Sequence, residues 1–204
     1  DCEALIDGTC GEKVQFIYMG FNNLEETPSY DNLKRMKKLS AIDLGYNKLR
    51  TVHPFGKGIN LVKLYLNNNQ LTEIPAAPDG YFSDFQDVEI MSFAFDQLTV
   101  VPDIFNARSN YIIDQIDFSH NNITALEHDS LFAGFNAYTV DLSYNRFERR
   151  PKGIITSGSP ISYLIMSGNG MTEIPKGTLT GKNSSNITSL DFSLNKLKEL
   201  PEDF

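Results

Sequence analysis

The sequence is poor in cysteine, lacks tryptophan and has no basic excess. Two of its 204 residues are cysteine, and 18 Lys and Arg stand against 26 Asp and Glu, for a formal net charge of −8. Proteins that bind nucleic acid or anionic membranes present basic surfaces, so this charge argues against both. No apolar run approaches the roughly 18 residues of a membrane span, and we expect no membrane insertion. No basic-then-apolar leader begins at Asp1, so we expect a mature, trimmed or cytosolic chain.

Motifs of several common enzyme classes are also missing. The sequence has no P-loop, no G-x-G-x-x-G and no H-E-x-x-H. These motifs supply backbone cradles for phosphates or ligands for catalytic zinc, and nothing replaces them here. We therefore expect no cofactor, no metal and no catalysis.

What the sequence does contain is one motif repeated eight times. Its apolar positions follow L-x-x-L-x-L-x-x-N-x-L, as in IDLGYNKL, IDFSHNNI and VDLSYNRF. Successive copies are 22 to 27 residues apart, a period typical of solenoids. Seven copies place asparagine at the ninth position and one places aspartate: Asn22, Asn47, Asn69, Asp96, Asn121, Asn145, Asn169 and Asn195.

This motif resembles that of the leucine-rich-repeat family, from about Val14 to the end of the chain. The resemblance implies an α/β fold: a right-handed solenoid with a curved parallel β-sheet on its concave face. Short helical turns and extended segments are expected on the convex face. The uneven repeat lengths and the Phe and Met substitutions resemble bacterial secreted or cell-surface members of the family.

We divide the chain into an N-terminal capping segment, 1–13, and a repeat domain of about eight repeats, 14–204. Repeat arrays expose core at their ends, which explains the need for a cap. The sequence shows no cysteine-rich C-terminal cap, so we expect the chain to be cut from a longer array.

Cys2 and Cys10 precede the first repeat, and two interpretations are open. They are free thiols on a terminus, or they form a disulfide that closes a short loop over the open end of the solenoid. We favour the disulfide, which would place the protein in an oxidising compartment. Two cysteines without a neighbouring histidine do not make a zinc site.

The ninth-position residues are predicted to be structural. A side-chain amide both donates and accepts, so stacked asparagines can satisfy backbone groups that a buried turn would leave unpaired. Asp96 breaks this pattern, because an ionised carboxylate accepts but does not donate. We expect a local perturbation there, compensated by water or by a shifted backbone.

The segments that return from one repeat to the next are rich in proline, which disfavours long helices. Aromatic residues follow several of these returns and are predicted to form the second half of the core: Phe55, Phe82, Phe105, Phe132 and Phe204.

Residues at the position before the ninth form a column on the exposed face of the predicted sheet. Exposed aromatics in a continuous patch are typical of contact surfaces, although they can also stack simply to cover the sheet. We favour binding for the column's aromatic members: Phe21, Tyr46, Phe95, His120 and Tyr144.

A neighbouring column combines tyrosines with aspartates: Tyr18, Asp43, Tyr65, Asp117 and Asp141. Like charges on adjacent strands favour a basic partner group or plain solvation over a metal, because calcium needs about six or more oxygens. Asp117, His120 and Ser143 supply the residue types of a catalytic triad. No oxyanion hole accompanies them, so we reject that interpretation.

The resemblance implies a non-catalytic module that binds a macromolecule through its concave face. We favour a protein partner and keep a glycan-binding cell-surface protein as the alternative. We expect an extracellular or cell-surface location, and the sequence leaves the oligomeric state open.

Overall fold

The computed structural model describes residues 11–75, 82, 85, 87–104, 112–127, 131, 136–148, 161–174, 176 and 187–202. Its main feature is one parallel β-sheet of eight strands, in which each repeat contributes one strand. The strands follow chain order across the sheet: β1 (Phe16–Tyr18), β2 (Ala41–Asp43), β3 (Lys63–Tyr65), β4 (Asp87–Ser92), β6 (Ile112–Asp117), β8 (Asn136–Asp141), β9 (Tyr163–Ile165) and β10 (Ser189–Asp191).

The register of this sheet aligns equivalent residues of successive repeats. Ile42 pairs with Ile17 on one side and with Leu64 on the other, and the same alignment continues to Leu190. Residues alternate between the two faces of a strand, so the central apolar residue of each copy enters the core. The leucine-rich-repeat solenoid predicted from the sequence is confirmed.

The chain also forms short elements outside the main sheet. A 3₁₀ helix spans Gly11–Lys13 and α1 spans Tyr30–Leu33. Two further short strands, β5 (Val100–Val101) and β7 (Ala125–Leu126), pair in parallel. The sequence predicts short helical turns and extended segments here, but it does not predict this second sheet. No helix in the described part of the chain is long and apolar enough to cross a membrane.

The core lies between the main sheet and the return segments. Phe55 and Phe82, placed in the core by the sequence, are fully buried, and Phe85 joins them. Their rings contact one another at centroid distances of 5.5 to 5.9 Å. Phe105, Phe132 and Phe204 lie outside the described residues.

The ninth-position asparagines form a hydrogen-bonded ladder inside the solenoid. Asn121 Nδ2 donates to Phe118 O and, across the repeat boundary, to Phe93 O, at 3.0 and 2.8 Å. Its Oδ1 accepts the Leu98 N–H at 2.9 Å. Equivalent bonds join the other asparagines to the repeat before them, with one exception. Asn22 is exposed and, among the described residues, its side chain bonds within its own repeat, to Met19 O and Gly20 O.

Asp96 occupies its place in this ladder without the donor. Oδ1 accepts the Leu71 N–H at 3.0 Å, while Oδ2 is buried without a hydrogen-bond partner. The backbone is not displaced: Asn68 N and Phe95 N still donate to the next repeat at 2.8 and 3.0 Å. The expected backbone shift therefore does not occur. Burial instead raises the pKa of Asp96 to about 8, so the carboxyl is largely protonated at neutral pH.

Candidate binding face

The residue before each ninth position has a left-handed backbone in all eight repeats, with φ between 52° and 66°. Glycine and asparagine tolerate this region, and Gly168 and Asn68 occupy two of the eight positions. The other six positions hold Phe21, Tyr46, Phe95, His120, Tyr144 and Leu194. For such residues the conformation costs about 1–2 kcal/mol each. Aromatic residues are therefore used repeatedly where backbone preference disfavours them.

Stacking offsets part of this backbone cost. Phe21 and Tyr46 lie parallel, with centroids 4.3 Å apart and planes at 7°. His120 stacks between Phe95 and Tyr144, at 4.0 and 4.4 Å. Such pairs contribute about 0.5–1.5 kcal/mol each, comparable with the strain. We call these five residues the aromatic ladder; Asn68 separates its pair from its trio.

Stacking does not bury the aromatic ladder. Phe21 remains 79% exposed, and Tyr46, Phe95 and Tyr144 remain 45–50% exposed. Tyr18, in the neighbouring column, is 71% exposed, and Tyr65 is half-buried. The ring edges thus form an apolar strip on the solvent-exposed face of the sheet, interrupted at Asn68.

The aspartates beside the aromatic ladder also have a structural role, which was not predicted. Each accepts, through Oδ1, the backbone N–H two residues further on: Asp43 from Gly45, Asp117 from Ser119, Asp141 from Ser143, and Asp191 from Ser193, at 2.8–2.9 Å. This is a local side-chain cap of the strand exit. The motif D-x-[GS] was the signal available in the sequence.

Asp117 is a half-buried member of this group. Burial raises its pKa, opposed by hydrogen bonds from Ser119, while Asp141 adds repulsion. None of the ion pairs formed by described residues involves Asp117. No group of three or more His, Cys, Asp or Glu suited to a metal ion occurs in the described ranges.

The triad considered from the sequence does not assemble. The ring of His120 stacks on Phe95 and Tyr144, and its backbone N–H donates to Ser143 O at 3.0 Å. The backbone N–H of Ser143 bonds to Asp141. Within the described residues, no side-chain hydrogen bond joins His120 to Asp117 or Ser143. The arrangement is that of a surface and not of a nucleophile beside its base.

Comparison with known proteins agrees with this architecture. The family model described as "Leucine Rich Repeat" matches residues 60–80. A leucine-rich repeat protein from Bacteroides eggerthii shares 38% identity and a TM-score of 0.81 over 98% of this chain. One from Bacteroides thetaiotaomicron shares 37% identity and a TM-score of 0.80 over 97% of it.

The chain is a leucine-rich-repeat protein. Among curated leucine-rich-repeat relatives, lumican from Rattus norvegicus is 29% identical over 167 residues, 78% of this chain. The chain spans about half of that relative, 46%, and 34% and 24% of the two Bacteroides chains.

The Cys2–Cys10 disulfide and the capping segment 1–13 of this leucine-rich-repeat protein stay predictions. Cys2 and Cys10, and with them most of the capping segment 1–13, lie outside the described residues.

The interruption of the aromatic ladder at Asn68 is visible in the sequence, but its meaning depends on the stacking geometry on either side.

Proposed function

We propose that this protein is a non-catalytic module that binds a protein partner through the aromatic ladder on the concave face. The proposal rests on the backbone strain at the residues of the aromatic ladder. Aromatic side chains are placed on left-handed backbone and stay about half exposed after stacking. Strained positions cluster where function requires them, and solenoid sheets offer extended binding surfaces.

The ladder's neighbours fit an interface. Aromatic residues anchor many protein contacts, because they bury large area and lose little conformational freedom. Tyr18 and Tyr65 widen the strip on one side, and Asp43, Asp117 and Asp141 add negative charge beside it. The net charge of −8 favours a partner whose contacting surface is basic.

A glycan-binding surface is the rival proposal, and the ring geometry counts against it. Sugars stack on the faces of aromatic rings, whereas most faces of the ladder are covered by neighbouring rings at 4.0–4.4 Å. Ring edges are suited to packing against protein side chains. We propose an extracellular or cell-surface location on the expectation of a Cys2–Cys10 disulfide, which oxidising compartments permit.

The test compares two triple-alanine variants of the full chain. One replaces Tyr46, Phe95 and Tyr144; the matched control replaces Tyr30, Val100 and Leu200, which are also exposed but lie off the ladder. Both are used as bait against a protein microarray and a glycan array, after thermal melts show that they fold.

We expect the wild type and the control to bind the same proteins and the ladder variant to bind none of them. Protein binding that survives in the ladder variant sinks the proposal. Hits confined to the glycan array do so as well.

A further inference from the structure

The aromatic ladder has one missing rung, at Asn68. Backbone hydrogen bonds run without interruption beneath it, from Tyr46 N to Asn67 O at 3.0 Å and from Asn68 N to Ala94 O at 2.8 Å. Asn68 thus occupies a rung position, with φ 58° like its neighbours. Its side chain carries no ring, so Tyr46 and Phe95 lie two repeats apart with no ring between them.

The missing rung leaves the inner faces of Tyr46 and Phe95 without an aromatic stacking partner among the described residues. Tyr46 stacks on Phe21 and Phe95 on His120, each on the side away from Asn68. No ring contact in the described part of the chain joins Tyr46 to Phe95. Rings of adjacent repeats stack with centroids 4.0–4.4 Å apart, so two such steps, about 8–9 Å, leave room for one planar group in contact with both rings.

A cavity of about 350 Å³ opens at this gap. Its lining includes the rings of Tyr46 and Phe95, a third ring from Tyr65, and the polar side chains of Asn68, Gln115 and Asp117. The amide oxygens of Asn68 and Gln115 and the carboxylate of Asp117 are hydrogen-bond acceptors. The site therefore offers two aromatic faces, several acceptors and one negative charge.

Asp117 determines which planar group fits. Oδ1 accepts the Ser119 N–H at 2.8 Å, and no described cation pairs with the carboxylate. A phenyl or sugar ring would stack but would leave this charge unmatched, and a lysine would match it without stacking as a plane. The guanidinium is planar, permanently charged and rich in donors, and it stacks on aromatic faces.

We propose that an arginine side chain of the partner protein occupies this gap, stacked between Tyr46 and Phe95 and paired with Asp117. The inference rests on the proposed protein-binding function and specifies the anchor of that interface. The arginine completes the aromatic ladder, so the strip from Phe21 to Tyr144 becomes continuous only in the complex.

The test begins with selection of random phage-displayed peptides on the immobilised full chain and, in parallel, on Asn68→Phe. Phenylalanine at residue 68 supplies the missing rung and closes the gap. Leu194→Phe is the matched control, because it adds the same ring at a left-handed position with φ 55° away from the cavity. We expect an arginine shared by peptides selected on the wild type and on the control, and absent from those selected on Asn68→Phe.

A selected peptide is then titrated by calorimetry in three forms. Lysine in place of the arginine keeps the charge and loses the plane, whereas citrulline keeps the plane and loses the charge. We expect each replacement to weaken binding about tenfold, in line with cation–π and ion-pair contributions in partly desolvated sites.

A second pair of variants isolates the charge. Asp117→Asn keeps an oxygen for the Ser119 N–H, and Asp191→Asn does the same for Ser193 far from the cavity. We expect Asp117→Asn to weaken the arginine peptide about tenfold and Asp191→Asn to leave it unchanged.

Three outcomes overturn the inference. They are selected peptides without arginine, arginine peptides that bind Asn68→Phe as tightly as the wild type, and no selected peptide at all. The failure of the proposed function is separable: arginine-free peptides that lose binding on the Tyr46, Phe95 and Tyr144 alanine variant leave that function standing. Peptides indifferent to this variant remove both.

Discussion

Asp96 Oδ1 accepts the Leu71 backbone N–H at 3.0 Å, in the place where every later repeat uses an asparagine oxygen. The other carboxyl oxygen lies where an asparagine would present its NH₂ group, and it is buried without a partner. The fold therefore keeps its backbone geometry at this repeat, and the replacement of asparagine by aspartate is accommodated by protonation of the Asp96 carboxyl.

Asp96→Asn is expected to stabilise the protein, because the amide donates to Phe93 O and Leu66 O as the other rungs do. The pKa of Asp96 is about 8 in the folded protein and near 4 when unfolded. Relative to the variant, the free energy of unfolding of the wild type therefore decreases between about pH 4 and about pH 8 and stays constant at higher pH. Above about pH 8 we expect the free energy of unfolding of Asp96→Asn to exceed that of the wild type by on the order of a few kcal/mol.

Urea unfolding at about pH 5, 7 and 9 measures this difference. Asp191→Asn is the control, since Asp191 is not part of the hydrogen-bonded ladder of ninth-position residues. A gain for Asp96→Asn that does not grow between about pH 5 and pH 8 would contradict the assignment.

Asn121→Ala is expected to destabilise the protein by about 2–4 kcal/mol, because it orphans the buried Leu98 N–H and removes the donor to Phe93 O. Asn22→Ala, at the exposed end of the same ladder, should change stability by less than about 0.5–1 kcal/mol. Thermal melts of both variants measure the contrast. Equal losses would show that the ladder bonds contribute little across repeats.

Leu194→Asn is expected to raise stability by about 0.5–1 kcal/mol. Leu194 is 71% exposed and strained at φ 55°, and asparagine adopts this region readily. Phe95→Asn relieves the same strain but removes the ring stacked on His120 at 4.0 Å, so we expect no gain there. Urea unfolding midpoints check both. A comparable gain at Phe95 would mean that stacking contributes nothing.

Gly168→Ala is expected to cost more than Gly170→Ala. Both glycines have positive φ, 66° and 78°, so backbone strain is shared. A Cβ on Gly168 would fall 2.8 Å from Tyr144 Cδ1, whereas one on Gly170 meets nothing within 4 Å. We expect an extra loss of about 1 kcal/mol and a changed near-ultraviolet tyrosine signal for Gly168→Ala alone. Identical melts would show that the Tyr144 ring moves freely.

The fold was predictable because the repeat applies one rule eight times. Ile42, Leu64 and Met91 recur at one position of the motif, and in-register pairing of their strands follows from the shared period. The second sheet of Val100–Val101 and Ala125–Leu126 was not predictable, since no motif marks those return segments.

The candidate site was predictable in its membership and not in its form. Counting one residue back from Asn47 or Asn145 finds Tyr46 and Tyr144, and counting four back from Asn145 finds Asp141. The left-handed backbone, the side-chain caps and the open gap at Asn68 depend on how neighbouring repeats stack.

The sequence by itself determined the solenoid and the columns, because hydrophobic period and asparagine spacing act within each repeat. The tertiary structure decided which ring faces are covered, which carboxyl is protonated and where one planar group can enter. Those properties belong to contacts between repeats. In the sequence alone Asn68 is an ordinary polar residue, and only the tertiary structure places it between Tyr46 and Phe95.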